Sequence, residues 1–175
     1  MKTLVLMRHA KSSWDTPGLL DHDRPLNERG RREAPRMGRR LGERGIRPDV
    51  IVTSTAERAR STAAFVAAAL GTEERRVIAD ERLYSASVDT LLRVVRSLDD
   101  RLACAMFVGH NPEMTDLAAR LFREAEAMPT AAVAVFRFDV ASWSDVRIAT
   151  HGGRSAAPPV SVTFDAPDRS PLHGR

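Results

Sequence analysis

Short apolar runs alternate along this chain with stretches of helical periodicity. The first run, Leu4-Val5-Leu6-Met7, lies in a predicted strand over residues 3–7. A polar loop rich in Asp, Pro, Gly and Ser covers residues 11–26. Asn27 is placed to cap a helix that carries Pro35, which should kink it or mark where its regular part begins; Gly45 and Pro48 end it. A second strand over 49–53 precedes a helix with Ala59, Ala63, Val66 and Leu70 on one face, stopped by Gly71. A short strand near 76–78 leads to a helix whose inner positions are Val88, Leu91, Leu92 and Val95. The strand over 103–108 runs into Asn111-Pro112, a capping residue before proline at the first helical position, with Met114, Leu117 and Leu121 facing inward. The last quarter differs. Residues 133–138 read as a strand, and Val160, Val162 and Phe164 alternate in a final one before a frayed tail from about Pro167.

This order predicts an α/β fold with a mostly parallel sheet. No internal repeat or domain boundary interrupts it, so residues 1–166 are expected to form one domain and 167–175 a C-terminal tail. Arg8 and His9 follow the first apolar run, Arg58 opens the helix after the second strand, and His110 follows Ala105-Met106-Phe107-Val108. If these runs are neighbouring parallel strands, all four side chains emerge at one sheet edge. Ligands of open α/β sheets bind there, beyond the carboxyl ends of the strands. Two guanidiniums and two imidazoles make a strongly cationic pocket, for which a phosphate is the natural ligand.

Composition narrows the class. At 175 residues the chain suits one domain with a sizeable core. Its single cysteine, Cys104, excludes an internal disulfide framework and is expected to be buried and inert. No apolar run is long enough for a signal peptide or a membrane span, so the expectation is a cytoplasmic protein without a membrane partner. The net charge of +4 raises the question of nucleic acid. The arginines between Arg29 and Arg47 are interleaved with Glu33 and Glu43, follow Glu28, and lack aromatic stacking partners, so a solvated helix face is expected rather than a nucleic-acid site. The excess charge could still favour an acidic protein partner. Low aromatic content and the lack of an apolar surface stripe favour a monomer.

A histidine can attack phosphorus when its attacking nitrogen is unprotonated. Neighbouring cations disfavour imidazolium and neutralise the phosphoryl oxygens. Phosphoryl transfer depends mainly on positioning and charge stabilisation. No metal is expected, because protein groups supply the charge. Asp23-Arg24-Pro25-Leu26 adds an arginine in the loop after the first strand, stiffened by Pro25.

At these residues the chain resembles the histidine phosphatase superfamily, the phosphoglycerate-mutase-like fold, and within it the SixA-type phosphohistidine phosphatases. The resemblance rests on Leu6-Met7-Arg8-His9-Ala10-Lys11-Ser12, Asp23-Arg24-Pro25-Leu26-Asn27-Glu28-Arg29-Gly30, Ser54-Thr55-Ala56-Glu57-Arg58-Ala59-Arg60-Ser61-Thr62 and Val108-Gly109-His110-Asn111-Pro112, with Glu81-Arg82-Leu83-Tyr84 a weaker match. It implies a three-layer α/β/α sandwich around a mixed, mainly parallel sheet. It also implies that His9 carries a transient phosphoryl group, that Arg8, Arg58, His110 and Arg24 bind its oxygens, and that Glu81 stands where many relatives hold a proton donor. Asp15, Asp21 and Asp23 are lesser candidates for that donor. Ala10 replaces the usual glycine after Arg-His, and Asn27 stands where threonine or serine is frequent.

The function expected is a metal-independent phosphatase acting on protein phosphohistidine through phospho-His9, without a cofactor. A phosphohistidine releases imidazole, which departs readily once protonated, whereas an ester's alkoxide needs a donor. The alternatives are a small-molecule phosphomonoesterase with the same pocket, its rim formed by 11–20 and 83–87 with Trp14 free to stack, and a non-catalytic phosphate-binding module. A mutase fits less well, since so short a chain has little room for a lid.

Overall fold

A computed structural model describes residues 1–123, 125–148 and 158–169. Its elements are β1 (Lys2–Arg8), α1 (Glu28–Glu43), β2 (Val50–Thr53), α2 (Glu57–Leu70), β3 (Val77–Ala79), α3 (Val88–Arg96), β4 (Cys104–Gly109), α4 (Glu113–Leu121), β5 (Val133–Phe138) and β6 (Ser161–Asp165). The strands form one sheet in the order β3-β2-β4-β1-β5-β6. The pairs β3–β2, β2–β4 and β4–β1 are parallel, and β5 is antiparallel to both β1 and β6.

The apolar runs are continuous because the central strands are covered on both faces. Successive side chains alternate between two cores. Leu4, Leu6, Val52, Phe107 and Phe136 pack with Leu91, Val95 and Leu117 of α3 and α4. Val5, Met7, Ile51, Met106 and Val135 pack with Met37, Leu41, Ala63 and Val66 of α1 and α2. The sandwich therefore has three layers, as the resemblance implied.

Local signals set most of the helix ends. Asn27 caps α1, its side chain accepting the Gly30 N–H at 2.9 Å. The helix runs on through Pro35. Gly30 has no room for a side chain: a Cβ there would sit 2.2 Å from the Lys11 carbonyl oxygen, so α1 can lie against the loop after β1. Gly71, at φ +67°, ends α2 in the left-handed conformation that favours glycine. The start of α4 differs from expectation. Its first residue is Glu113, and Pro112 lies at the cap without a capping side chain. Asn111, one residue earlier, still serves the helix start: its Oδ1 accepts the Thr115 N–H of the first turn at 3.3 Å and the Thr115 hydroxyl at 3.1 Å, while its Nδ2 donates to the Met128 carbonyl at 2.9 Å. Cys104 is half-buried, and burial together with Asp49 pushes its thiol up to about 12, which leaves it unreactive.

A buried ion pair fastens the last strand to α1. Asp165 accepts from Arg40 at 3.1 Å and pairs with Arg44 at 3.0 Å. Arg40 also donates to the Ala166 and Arg169 carbonyls, while Asp168 and Arg169 pair with Arg29 and Glu126. The first residues of the expected tail are thus tied down, and 170–175 lie outside the described residues. Asp165→Ala leaves Arg40 buried without its counter-charge, and the expected loss is about 3–5 kcal/mol of unfolding free energy. Urea denaturation measures it; a loss below about 1 kcal/mol would show that the pair is not a fastening.

Candidate active site

The strand order brings the four residues together. β4 lies between β1 and β2, with Arg8 opposite Gly109 and Thr53 opposite Val108. The His9 N–H donates to the Gly109 carbonyl at 2.9 Å, and the Ser54 N–H to the Val108 carbonyl at 3.0 Å. The chain ends leaving β1, β4 and β2 are therefore adjacent. The His9 and His110 ring centroids are 5.1 Å apart, and Arg58 Nε donates to His9 Nε2 at 3.3 Å. Arg8 is anchored by Nη1 donating to the Met128 carbonyl at 3.1 Å. Ala131, at φ +61°, holds a strained backbone whose N–H reaches the Arg8 and His9 carbonyls at 3.1 and 3.2 Å.

His9 is held in one tautomer. Its Nδ1 lies 2.8 Å from the Ala10 carbonyl oxygen, which can only accept, so Nδ1–H donates and Nε2 carries the lone pair toward Arg58. The Ala10 N–H is fixed by Thr62 Oγ1 at 3.0 Å, and the Thr62 hydroxyl donates to the Arg58 carbonyl at 2.6 Å. The small side chain of Ala10 is fully buried at this crossing. Burial is the main force that lowers the His9 pKa to about 3; His110, Arg58 and Arg8 add to it, against the opposing Ala10 hydrogen bond. Burial and then Arg58 lower His110 to about 4.

Both shifts bear on pH dependence. Below the ordinary value of 6.5 the unfolded chain takes up protons on both histidines, but the folded protein does not until about 4 and 3. Unfolding free energy therefore falls as pH drops from 6.5 toward 4. His9→Asn removes one of the two groups, and its stability should fall less steeply over that interval. Equal slopes for both proteins in urea titrations at pH 7 and pH 4.5 would contradict the neutral, buried His9.

The second tier of the site is the turn Asp21–Asp23. The Asp21 carboxylate accepts from Arg24 Nη1 at 2.9 Å, from Arg58 Nη2 at 2.9 Å and from the Tyr84 hydroxyl at 3.1 Å. Its backbone carbonyl accepts from Arg58 Nη1 at 2.5 Å. Partial burial alone would raise this carboxyl, but the Arg24 and Arg58 hydrogen bonds outweigh it and hold the group at about 2. Arg24 is buried; it also donates to the Ser13 carbonyl and the Ser12 hydroxyl, and its guanidinium lies 3.2 Å from the centroid of the exposed Trp14 ring. A cleft of about 300 Å³ beside Arg24 is lined by Trp14, Leu19, Asp21 and Pro25. A larger groove of about 540 Å³ along α2 and β3 is lined by none of the four central residues.

Glu81 is placed differently. It begins the turn Glu81–Leu83, in which Glu81 and Arg82 are exposed and Leu83 is buried, and among the described residues its side chain makes no hydrogen bond or ion pair with the cluster; Tyr84, next in the same loop, has its ring centroid 5.6 Å from that of His110. His22 stands beside Tyr84, with ring centroids 4.9 Å apart, and its Nε2 lies 3.0 Å from the Thr55 hydroxyl. Sequence reading missed Ser54, Thr62, Tyr84 and His22, and took Asp21 only as an acid. The spacing Asp21-x-x-Arg24 carried the one usable signal, since residues three apart on a tight turn can pair.

The model of the histidine phosphatase superfamily (branch 1) matches residues 4–91, a stretch that contains Arg8, His9, Arg24 and Arg58. This chain belongs to that superfamily. An uncharacterized protein of Mycobacterium tuberculosis, Rv1276c, is 36% identical over 151 residues, which cover 80% of this chain and 91% of that one. A solved structure assigned to phosphohistidine phosphatase SixA of Agrobacterium tumefaciens superposes with a TM-score of 0.70 at 31% identity, over 77% of this chain and 91% of that chain. Another, from Nakamurella multipartitia, superposes with a TM-score of 0.71 at 30% identity, over 93% of this chain and 95% of that chain.

Proposed function

We propose that this protein is a phosphatase that removes the phosphoryl group from protein phosphohistidine through a transient phospho-His9. The observation that carries the reading is the state of His9: neutral, locked by the Ala10 carbonyl, with the Nε2 lone pair turned toward the Arg58 guanidinium. In the first step the His9 Nε2–P bond forms as the bond from phosphorus to the substrate's imidazole nitrogen breaks, and that nitrogen takes a proton from solvent. In the second, water attacks phospho-His9, inorganic phosphate leaves and neutral His9 returns. Arg8, Arg58 and His110 hold the phosphoryl oxygens. Arg24 supports them through Asp21.

The preference for phosphohistidine rests on the absence of a poised carboxylic acid. Arg24 and Arg58 hold the Asp21 carboxyl at about 2, and among the described residues the Glu81 side chain makes no hydrogen bond or ion pair with the cluster. An imidazole leaving group tolerates this better than an alkoxide. The likeness to structures assigned to SixA points the same way. A small phosphate ester is the second reading, favoured by the exposed Trp14 beside the cleft at Arg24.

Single-turnover assays separate the two. A phosphocarrier protein bearing phosphohistidine and p-nitrophenyl phosphate are each mixed with excess enzyme, with and without EDTA. Fast loss of the phosphohistidine, slow ester cleavage and indifference to EDTA are expected. Fast ester cleavage with an inert phosphohistidine would transfer the proposal to metabolite esters. Tight binding of either without turnover would leave only a binding module.

A further inference from the structure

We infer that Ser54 is a positioning residue that fixes the tautomer of His110, so that His110 offers its Nδ1–H to a phosphoryl oxygen. The inference rests on the phosphatase reading of the same site, and it follows from counting donors and acceptors. Ser54 is fully buried at the end of β2. Its Oγ accepts the Ala56 N–H at 3.2 Å and lies 2.8 Å from His110 Nε2. Those are the hydroxyl's two hydrogen-bond neighbours among the described residues.

Two proton arrangements are open to the Ser54–His110 contact. If Nε2–H donated, Ser54 Oγ would accept twice and its own proton would be stranded in a dry site, at a cost. If the hydroxyl donates, Oγ uses one acceptor and one donor, and Nε2 accepts. The second arrangement satisfies every polar atom of Ser54 and places the single ring proton of neutral His110 on Nδ1. That nitrogen is buried and has no hydrogen-bond partner among the described residues. Buried donors without partners are rare in folded proteins, and one on a ring whose centroid is 5.1 Å from that of His9 points to a ligand acceptor that the resting site does not supply.

His110 and His9 therefore carry the same tautomer for opposite ends. The Nδ1–H of His9 is spent on the Ala10 carbonyl, which leaves the Nε2 lone pair, facing Arg58, as the nucleophile. The Nε2 of His110 is occupied by the Ser54 hydroxyl, which frees Nδ1–H as donor. The unlike hydrogen-bond partners of the two rings give them unlike roles. A donor that stays neutral adds no further positive charge beside the arginines.

Long-range proton–nitrogen NMR of the ¹⁵N-labelled full chain tests this, with His110 assigned by the loss of its signals in His110→Gln. The wild-type resting protein at pH 7 should show His110 with a protonated Nδ1 and a bare Nε2, and saturating inorganic phosphate should shift the Nδ1–H signal. Ser54→Ala should raise the Nε2–H population and weaken phosphate binding by about tenfold, the effect of one hydrogen bond. Ser54→Thr, which keeps the hydroxyl, should restore both. A wild-type His110 protonated on Nε2 overturns the inference whether or not the variants fold. So does an Nδ1–H that phosphate leaves unmoved while His9 responds, or a tautomer unchanged in Ser54→Ala. Failure of the phosphatase reading would look different: no turnover by wild type, with the resting tautomer as inferred.

Discussion

His9→Ala abolishes turnover: at least about a 10,000-fold fall in kcat is expected, of the size seen when a covalent nucleophile is removed. Alanine leaves Arg8, Arg58 and His110 in place, and their anchors at Met128, Asp21 and Ser54 do not involve the His9 side chain. Phosphate should therefore still bind, within a few-fold of wild type. Acid-quenched samples of wild type mixed with labelled substrate should carry label on His9, and the variant none. Residual activity above about one hundredth of wild type would mean that another group attacks phosphorus, and the covalent mechanism would fail.

Arg58→Ala should be the next most damaging change. Its guanidinium spends Nε on His9 Nε2 and both Nη atoms on Asp21, so it fixes the nucleophile's neighbourhood and the Asp21 turn together. A fall in kcat/KM of about 100- to 1,000-fold is expected, as for removal of one donor to developing oxyanion charge. Arg58→Lys should recover little, because an ammonium cannot make three divergent contacts in one plane. A second sign is independent of rate. Arg58 is one of the charges that lowers His9, so without it the His9 pKa should rise above about 3 and the acid limb of the rate profile should move toward neutral pH. A variant within about threefold of wild type in kcat/KM would remove Arg58 from the phosphoryl site.

Between them these experiments separate attack from charge stabilisation. Loss of labelling with phosphate binding intact identifies His9 as attacking group. Loss of both affinity and rate identifies Arg58 as a ligand of the phosphoryl oxygens. The Asp165 variant serves as a contrast: it should lose stability through the α1–β6 fastening, while the His9–Arg58 contact is left untouched.

How much of this the sequence held depends on the range of the interaction concerned. Periodicity is local, so the alternation of strands and helices, the cap at Asn27 and the stop at Gly71 could be read directly, and the boundaries moved by only a residue or two. Arg8 and His9 are bonded neighbours after an apolar run, so their place at a strand end followed from the sequence. Long-range geometry was less legible. Asn111 is legible as a cap and does accept the Thr115 N–H of the first turn of α4, but its second tie, to the Met128 carbonyl 17 residues on, is not. Glu81 was carried over by motif, but the turn it opens leaves it exposed and brings Tyr84 to the cluster instead.

The sequence by itself determined the α/β class and the place of Arg8, His9, Arg58 and His110 after apolar runs, because each is written in spacing or adjacency. Only the tertiary structure decided that β4 enters between β1 and β2, which makes His110 the neighbour of His9. It also decided that Asp21 ties Arg24 to Arg58, and that Ser54 sits at His110 Nε2. The physical reason is common to all three. Strand order and hydrogen-bond partners are set by which surfaces bury best across the whole chain, and no window of sequence contains both sides of such a contact.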